Sequence, residues 1–151
     1  MGDPPKRGVF SERKEELKRA LREGGLRATS SRALVLACLQ DAEGPLAHGE
    51  VCDRLEPHGY DRATIYRNLV DLTNAGLALR SDFGDHLWRF ELARGEAHDP
   101  TAHPHFVCQE CGDVSCLPDD AIAVKAKRGA PKALARKKVE IQVRGLCNAC
   151  E

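Results

Sequence analysis

His103-Pro104-His105-Phe106-Val107-Cys108-Gln109-Glu110-Cys111-Gly112-Asp113-Val114-Ser115-Cys116 brings two histidines and three cysteines into one short stretch. All five are metal-ligand types. Cys108 and Cys111 form a C-x2-C knuckle followed by Gly112, and a second knuckle, Cys147-Asn148-Ala149-Cys150, lies near the end of the sequence. Four thiolates in two knuckles have the spacing of a tetrahedral structural zinc site. The gap between the knuckles is longer than in a simple zinc ribbon. The ion is therefore expected to clip together the two ends of a small domain, which removes more unfolded-state entropy than clipping near points. Ordinary buried cysteines or disulfides are the alternative. Seven cysteines without a secretion signal favour metal instead, and a reducing cytoplasm.

The two histidines pose a separate question. Residues two apart on a strand project to the same side, so His103 and His105 can share a metal. Pro104 keeps the backbone between them extended. Cys116, beyond the knuckle, can reach that side too. Taken alone, these residues fit either a second, non-structural metal site or a surface histidine pair beside a core cysteine.

The 151 residues suit one compact domain or two small ones. Charge balances at 23 basic and 23 acidic residues, so net charge neither announces nor excludes a nucleic-acid partner. Residues 1–40 are locally basic, with nine Lys/Arg against five Asp/Glu. Residues 125–138 carry seven basic residues and no acidic one, and read as a solvated face. No apolar run approaches the ~20 residues of a membrane span. No repeat or low-complexity tract is present.

Residues 1–10, with Gly2, Pro4, Pro5 and Gly8, read as a loose tail. A helix is expected from Ser11, with Leu17 and Leu21 as its apolar stripe and Gly24-Gly25 as its stop. Thr29 or Ser30 caps a second helix that turns Leu34, Val35, Cys38 and Leu39 inward, and Gly44-Pro45 breaks it. A third helix is expected over 48–55, with Val51 and Leu55 inside. Cys38 and Cys52 read as small core hydrophobes. Asp61 caps a fourth helix. There Ile65, Leu69 and Leu72 face the core and leave Arg62, Tyr66 and Arg67 outward. Outward Arg and Tyr near the N-terminus of a helix that follows a short helix are what a major-groove recognition helix requires. After Gly76 the period changes to a hairpin: 77–80, a turn at 81–85, and 86–92, with Glu91 near its end. Three helices followed by a two-stranded ribbon make a winged helix. Residues 93–102 are a polar connector. Residues 103–151 read as a second, small α+β domain. It has strands near 105–107 and 114–117, a helix from about Asp119 ended or kinked at Gly129 and Pro131, and a strand at 138–144. Its core is too small to stand without a zinc staple.

In this order the parts resemble the ferric uptake regulator superfamily of metal-responsive bacterial repressors. The marks run from Gly25-Leu26-Arg27-Ala28-Thr29 with Arg32, through Ala63-Thr64-Ile65-Tyr66-Arg67-Asn68-Leu69 and Phe90-Glu91, to His103-x-His105-x-x-Cys108-x-x-Cys111-Gly112 and Cys147-x-x-Cys150. The resemblance implies an α+β homodimer built from an N-terminal winged-helix DNA-binding domain (11–92) and a C-terminal dimerisation and metal-binding domain (103–151). It implies structural zinc on Cys108, Cys111, Cys147 and Cys150. It also implies a regulatory metal at the hinge, held by Glu91, His103 and His105. Tyr66 and Arg67, with Arg62 on the same face, would meet DNA, and Arg27 and Arg32 would approach its backbone or minor groove.

Three departures from the family pattern stand out. Cys116 occupies a position usually acidic. Pro45 stands where the loop before the third helix often supplies a histidine ligand, which leaves His48 as a candidate three residues on. The positions of a further family metal site hold Ala102, Pro104, Ala123 and Val139, none of which binds metal. Two imidazoles, a thiolate and a carboxylate suit zinc ahead of Fe(II) or Mn(II). The expected function is a cytoplasmic, metal-dependent repressor of metal-homeostasis genes that binds a palindromic operator, with neither a membrane partner nor a small organic substrate. An iron- or manganese-dependent regulator and a peroxide or thiol-redox sensor of the same fold are the alternatives. A zinc enzyme or a zinc-storage protein is more distant: no H-E-x-x-H is present, and storage needs no recognition helix.

Overall fold

The computed structural model describes residues 7–93 and 103–151. The first helix, α1, spans Arg7–Glu23 and so starts four residues ahead of the expected Ser11. The expected tail thus shortens, because a single glycine such as Gly8 costs a helix only about 1 kcal/mol. The stop is as expected. Gly25 takes a left-handed φ of 78°, and Leu26 N–H closes onto the Leu21 carbonyl at 2.8 Å.

Helix α2 (Ser30–Asp41) is capped by Thr29, whose hydroxyl accepts from Arg32 N–H. It buries Val35, Leu36, Cys38 and Leu39. Helix α3 (His48–Leu55) buries Val51, Cys52 and Leu55. Helix α4 (Arg62–Asn74) starts where the Asp61 carboxylate accepts Thr64 N–H at 2.6 Å, and it turns Ile65, Leu69 and Leu72 inward. This hydrogen bond holds the Asp61 pKa below the usual carboxylate value. The apolar faces of α2, α3 and α4 meet in one core, with Leu21 of α1 wholly enclosed.

Three strands close this N-terminal unit: β1 (Leu46–Ala47), β2 (Ala78–Asp82) and β3 (Trp88–Leu92), in the order β1-β3-β2, all antiparallel. The two-residue β1 has no sequence signal, because it is too short to show a period. The hairpin turn occupies 83–87 rather than 81–85, since pairing runs on to Asp82 opposite Trp88. β3 is the central strand, and its side chains alternate. Phe90 enters the helical core, while Arg89 and Glu91 point to the opposite face and are also buried. That opposite face meets the C-terminal unit.

The C-terminal sheet has the order β5-β4-β6, from β4 (His105–Cys108), β5 (Val114–Cys116) and β6 (Gln142–Gly145). β4 pairs antiparallel with β5 and parallel with β6. The helix expected from Asp119 does not form. Only α5, the four residues Lys132–Ala135, is helical in the crossover. The reason is visible in 119–131. Its larger apolar residues, Ile122 and Val124, are two apart and share no helical face, and Val124 lies exposed. With no stripe to bury, a helix there gains nothing from packing. The last strand likewise starts at Gln142, later than the expected 138.

Buried side chains are few here: Pro104, His105, Cys108 and Val114. The two units touch where the loop before β1 crosses β5. A Cβ on Gly44 would lie 2.5 Å from the Val114 carbonyl, so this approach requires glycine. Among the described residues no helix is long and apolar enough to cross a membrane.

Candidate metal centre

Strand registry assembles one cluster at the junction of the units. His105 and Cys116 are direct cross-strand partners in the β4–β5 ladder, which puts their side chains on one face. His103 lies two residues before His105, and the imidazole centroids are 4.5 Å apart. Glu91 comes across from β3. Its Oε1 is 3.3 Å from His105 Nε2, its Oε2 is 3.5 Å from His103 Nε2, and Cys116 Sγ donates to Oε2 at 3.2 Å. One ligand atom from each of the four lies within 4.8 Å of all the others. Tetrahedral zinc, with bonds of about 2.0 Å to N or O and about 2.3 Å to S, separates its ligands by roughly 3.3–3.8 Å.

The chemistry of the four also fits a cation. Glu91 is 7 % and His105 1 % exposed. Glu91 Oε1 and both His105 ring nitrogens have no well-formed hydrogen bond among the described residues. Such buried, poorly satisfied polar atoms are expensive unless an ion or other partner completes them. Burial pushes the Glu91 carboxyl's pKa up, but the contacts with His105 and Cys116 outweigh it, and the net direction is down. The carboxylate is thus favoured in its ionised form.

A second cluster joins Cys108, Cys111, Cys147 and Cys150, again within 4.8 Å of one another. The parallel β4–β6 register, which sets Cys108 opposite Gly145, brings the knuckles side by side. Cys111 and Cys147 sulfurs are 3.9 Å apart, and Cys147 N–H donates to Cys108 Sγ at 3.4 Å. Backbone N–H groups of Cys111 and Cys147 bring the Cys108 pKa down to about 6. Cys150, beside the sulfurs of Cys147 and Cys111, is pushed up to about 12. A cation bound among the four sulfurs would take all of them as thiolates.

On the far side of the N-terminal unit, α4 presents Arg62, Tyr66 and Arg67 to solvent, Tyr66 at 43 % exposure. His48 lies here, away from the Glu91 cluster. Its Nε2 sits 2.8 Å from the Arg62 carbonyl, and its ring meets Tyr66 edge-on at 5.3 Å. The start of α3 faces α4, and His48 is not among the residues gathered around Glu91. Arg27 is exposed. Arg32 is engaged within the chain, donating to Asp71 of α4 at 2.7 Å and to the Arg27 carbonyl at 3.1 Å.

A profile of the Ferric uptake regulator family matches residues 23–144. The chain belongs to the ferric uptake regulator family. The ferric uptake regulation protein of Legionella pneumophila is 33% identical over 135 residues, covering 87% of this chain and 96% of that protein. The Escherichia coli K12 protein of that name is 32% identical over 116 residues, 75% of each chain. The crystal structure of the Vibrio cholerae ferric uptake regulator superposes with a TM-score of 0.64 at 29% identity, over 86% of this chain and 98% of that one. This membership makes the chain a metal-responsive transcriptional regulator.

Within the family pattern, Pro45 is buried beside β1, and Cys116 faces Glu91. Ala102 and the connector 94–102 lie outside the described residues. Phe83, Arg89 and Arg144 escaped the sequence reading, although all three lie at the junction. Their only signal is a large apolar residue, Phe83, in an otherwise polar turn.

Proposed function

We propose that the chain is a metal-dependent repressor in which Glu91, His103, His105 and Cys116 form the regulatory site. In this reading 103–151 is the dimerisation unit, stapled by structural zinc on Cys108, Cys111, Cys147 and Cys150. Residues 11–92, with α1 extended back to Arg7, are the DNA-binding unit, and 93–102 is the connector. One observation carries the reading: Glu91 belongs to the DNA-binding unit, and its three companions belong to the other. A bound cation ties the two together through their side chains. Glu91 then fixes the pose of β3 and of the helices packed on it. In a homodimer this sets two recognition helices about 34 Å apart, to match a palindrome. Coupling of this kind is commonly ~1–3 kcal/mol.

Zinc is the favoured regulatory ion. A compact set of two imidazoles, one thiolate and one carboxylate suits four-coordinate zinc better than manganese, which prefers oxygen ligands. The relatives named for ferric uptake keep Fe(II) as the second candidate. The deciding experiment is metal content per subunit before and after mild chelation, in wild type and Cys116→Ser. Two zincs, with the labile one weakened in the variant, are expected. One tightly held zinc in both proteins would shift the assignment to iron.

Tyr66, Arg67 and Arg62 are assigned to the DNA. Arg67→Ala is expected to weaken binding by about 1–3 kcal/mol, or roughly 5- to 150-fold, without altering either metal site. An unchanged dissociation constant in a fluorescence-anisotropy titration would remove Arg67 from the interface. Arg27 is assigned a phosphate contact. Arg32 acts by bracing α2 on α4 through Asp71.

A further inference from the structure

Neither metal cluster nor the DNA-binding face accounts for Phe83. It sits at the tip of the β2–β3 hairpin, where a chain normally runs over the surface. Yet it is 1 % exposed, and it takes no part in the helical core. Its ring meets that of His105 edge to face, with centroids 5.1 Å apart and planes at 70°. The Arg89 guanidinium lies 5.8 Å from the ring centre. Arg144 of β6 donates to the Phe83 carbonyl. The next residue is glycine with φ of 89°, and a Cβ on Gly84 would come within 2.8 Å of the Arg144 guanidinium. Arg89 pairs with Asp85 at 2.8 Å and reaches the Gly112 carbonyl at 3.4 Å. The hairpin tip is thus pressed onto the C-terminal unit, and its apolar contact is with a histidine of the proposed regulatory site.

We infer that Phe83 is the positioning residue that carries the state of that site into the DNA-binding unit; this rests on the regulatory reading of the Glu91 cluster. Glu91 and the Gly44–Val114 approach both lie toward the open end of the hairpin, and neither holds its tip. Phe83 lies beyond the Asp82–Trp88 pair, four strand positions or ~13 Å from Glu91 along the hairpin. Phe83 on His105, with Arg144 on the Phe83 carbonyl, holds the hairpin at its tip as well. The contact depends on the site because imidazole rotation about its last torsion is soft. A His105 ring held by a ligand bond presents a fixed edge to Phe83, and a free ring does not.

The test uses the full-length protein and DNA selected from a random pool by zinc-loaded wild type. Phe83→Ala, Phe83→Leu and Arg144→Gln are compared with wild type for zinc affinity, zinc-dependent DNA binding and fluorescence anisotropy of Trp88. That residue is the sole tryptophan, and it lies half-exposed on β3. Wild type is expected to gain about 5- to 150-fold in DNA affinity with zinc. Phe83→Ala should keep the labile zinc within about threefold of wild-type affinity, gain less than about twofold in DNA binding, and lose the zinc-induced rise in Trp88 anisotropy. Arg144→Gln should do the same with the apolar core untouched. Phe83→Leu, which keeps apolar volume without a ring, should fall between. Variants that respond like wild type would overturn the inference. So would loss of the labile zinc in Phe83→Ala and Phe83→Leu, since Phe83 would then only build the site. A wild type whose DNA binding ignores zinc, Fe(II) and Mn(II) would sink the regulatory reading itself, and this inference with it.

Discussion

Cys147→Ser is expected to unfold the C-terminal unit and dissociate the dimer while leaving α1–α4 intact. The four-cysteine set is what that unit has in place of a core. Of its side chains only Pro104, His105, Cys108 and Val114 are buried, and its crossover contains just one turn of helix. A structural zinc supplies an apparent ~10–16 kcal/mol to a small domain, as much as the whole stability of an ordinary one. Cys147 contributes twice, through its sulfur and through the N–H it gives to Cys108. Serine keeps the second and loses the first. The N-terminal unit has its own core on α1–α4 and does not need the ion. Native mass spectrometry should show one tightly held zinc fewer per subunit, and size-exclusion chromatography a monomer. Hydrogen exchange should find the β4–β6 amides unprotected and the α2 and α4 amides protected. Full protection of β4 in the variant would mean that the sheet stands without its zinc.

How far the sequence reaches depends on where each residue's role is decided. The helices were legible because local rules decide them. Thr29 and Asp61 cap, Gly25 stops, and the i, i+4, i+7 stripe of Ile65, Leu69 and Leu72 selects the buried face of α4. The two knuckles were legible because ligand type and spacing are written in the chain. Strand alternation grouped His103, His105 and Cys116, but Glu91 was joined to them only through the family resemblance. No local rule says that β5 pairs with β4 in the register that sets Cys116 opposite His105. The misses share that origin. The helix at 119–131 was an exception, since the spacing of Ile122 and Val124 already denies it an apolar stripe. The ring of His48 could turn toward either site, and the packing of α3 on α4 sends it to Tyr66. Phe83 looked like a turn residue until the second unit covered it.

His105→Ala is expected to abolish metal-activated DNA binding and leave a folded dimer. The residue stands at the centre of the junction: opposite Cys116, beside Glu91, tilted against His103 and under Phe83. Removing its ring withdraws one of the four proposed ligands and the surface on which Phe83 rests, so two of the contacts between the units weaken together. The backbone of β4 does not depend on the ring. His105 N–H still closes onto the Ile141 carbonyl, and Cys108, three residues on, still anchors the zinc staple. The dimer and the structural zinc should therefore survive, in contrast to Cys147→Ser. In a DNA titration the variant should bind with the metal-free affinity of wild type at every zinc concentration, losing the whole coupling of about 1–3 kcal/mol. Double substitution with Phe83→Ala should add nothing further, because both changes act on one connection. An undiminished zinc response in His105→Ala would move the switch away from this cluster. A monomeric or unfolded variant would show that His105 serves the fold of β4 rather than the signal.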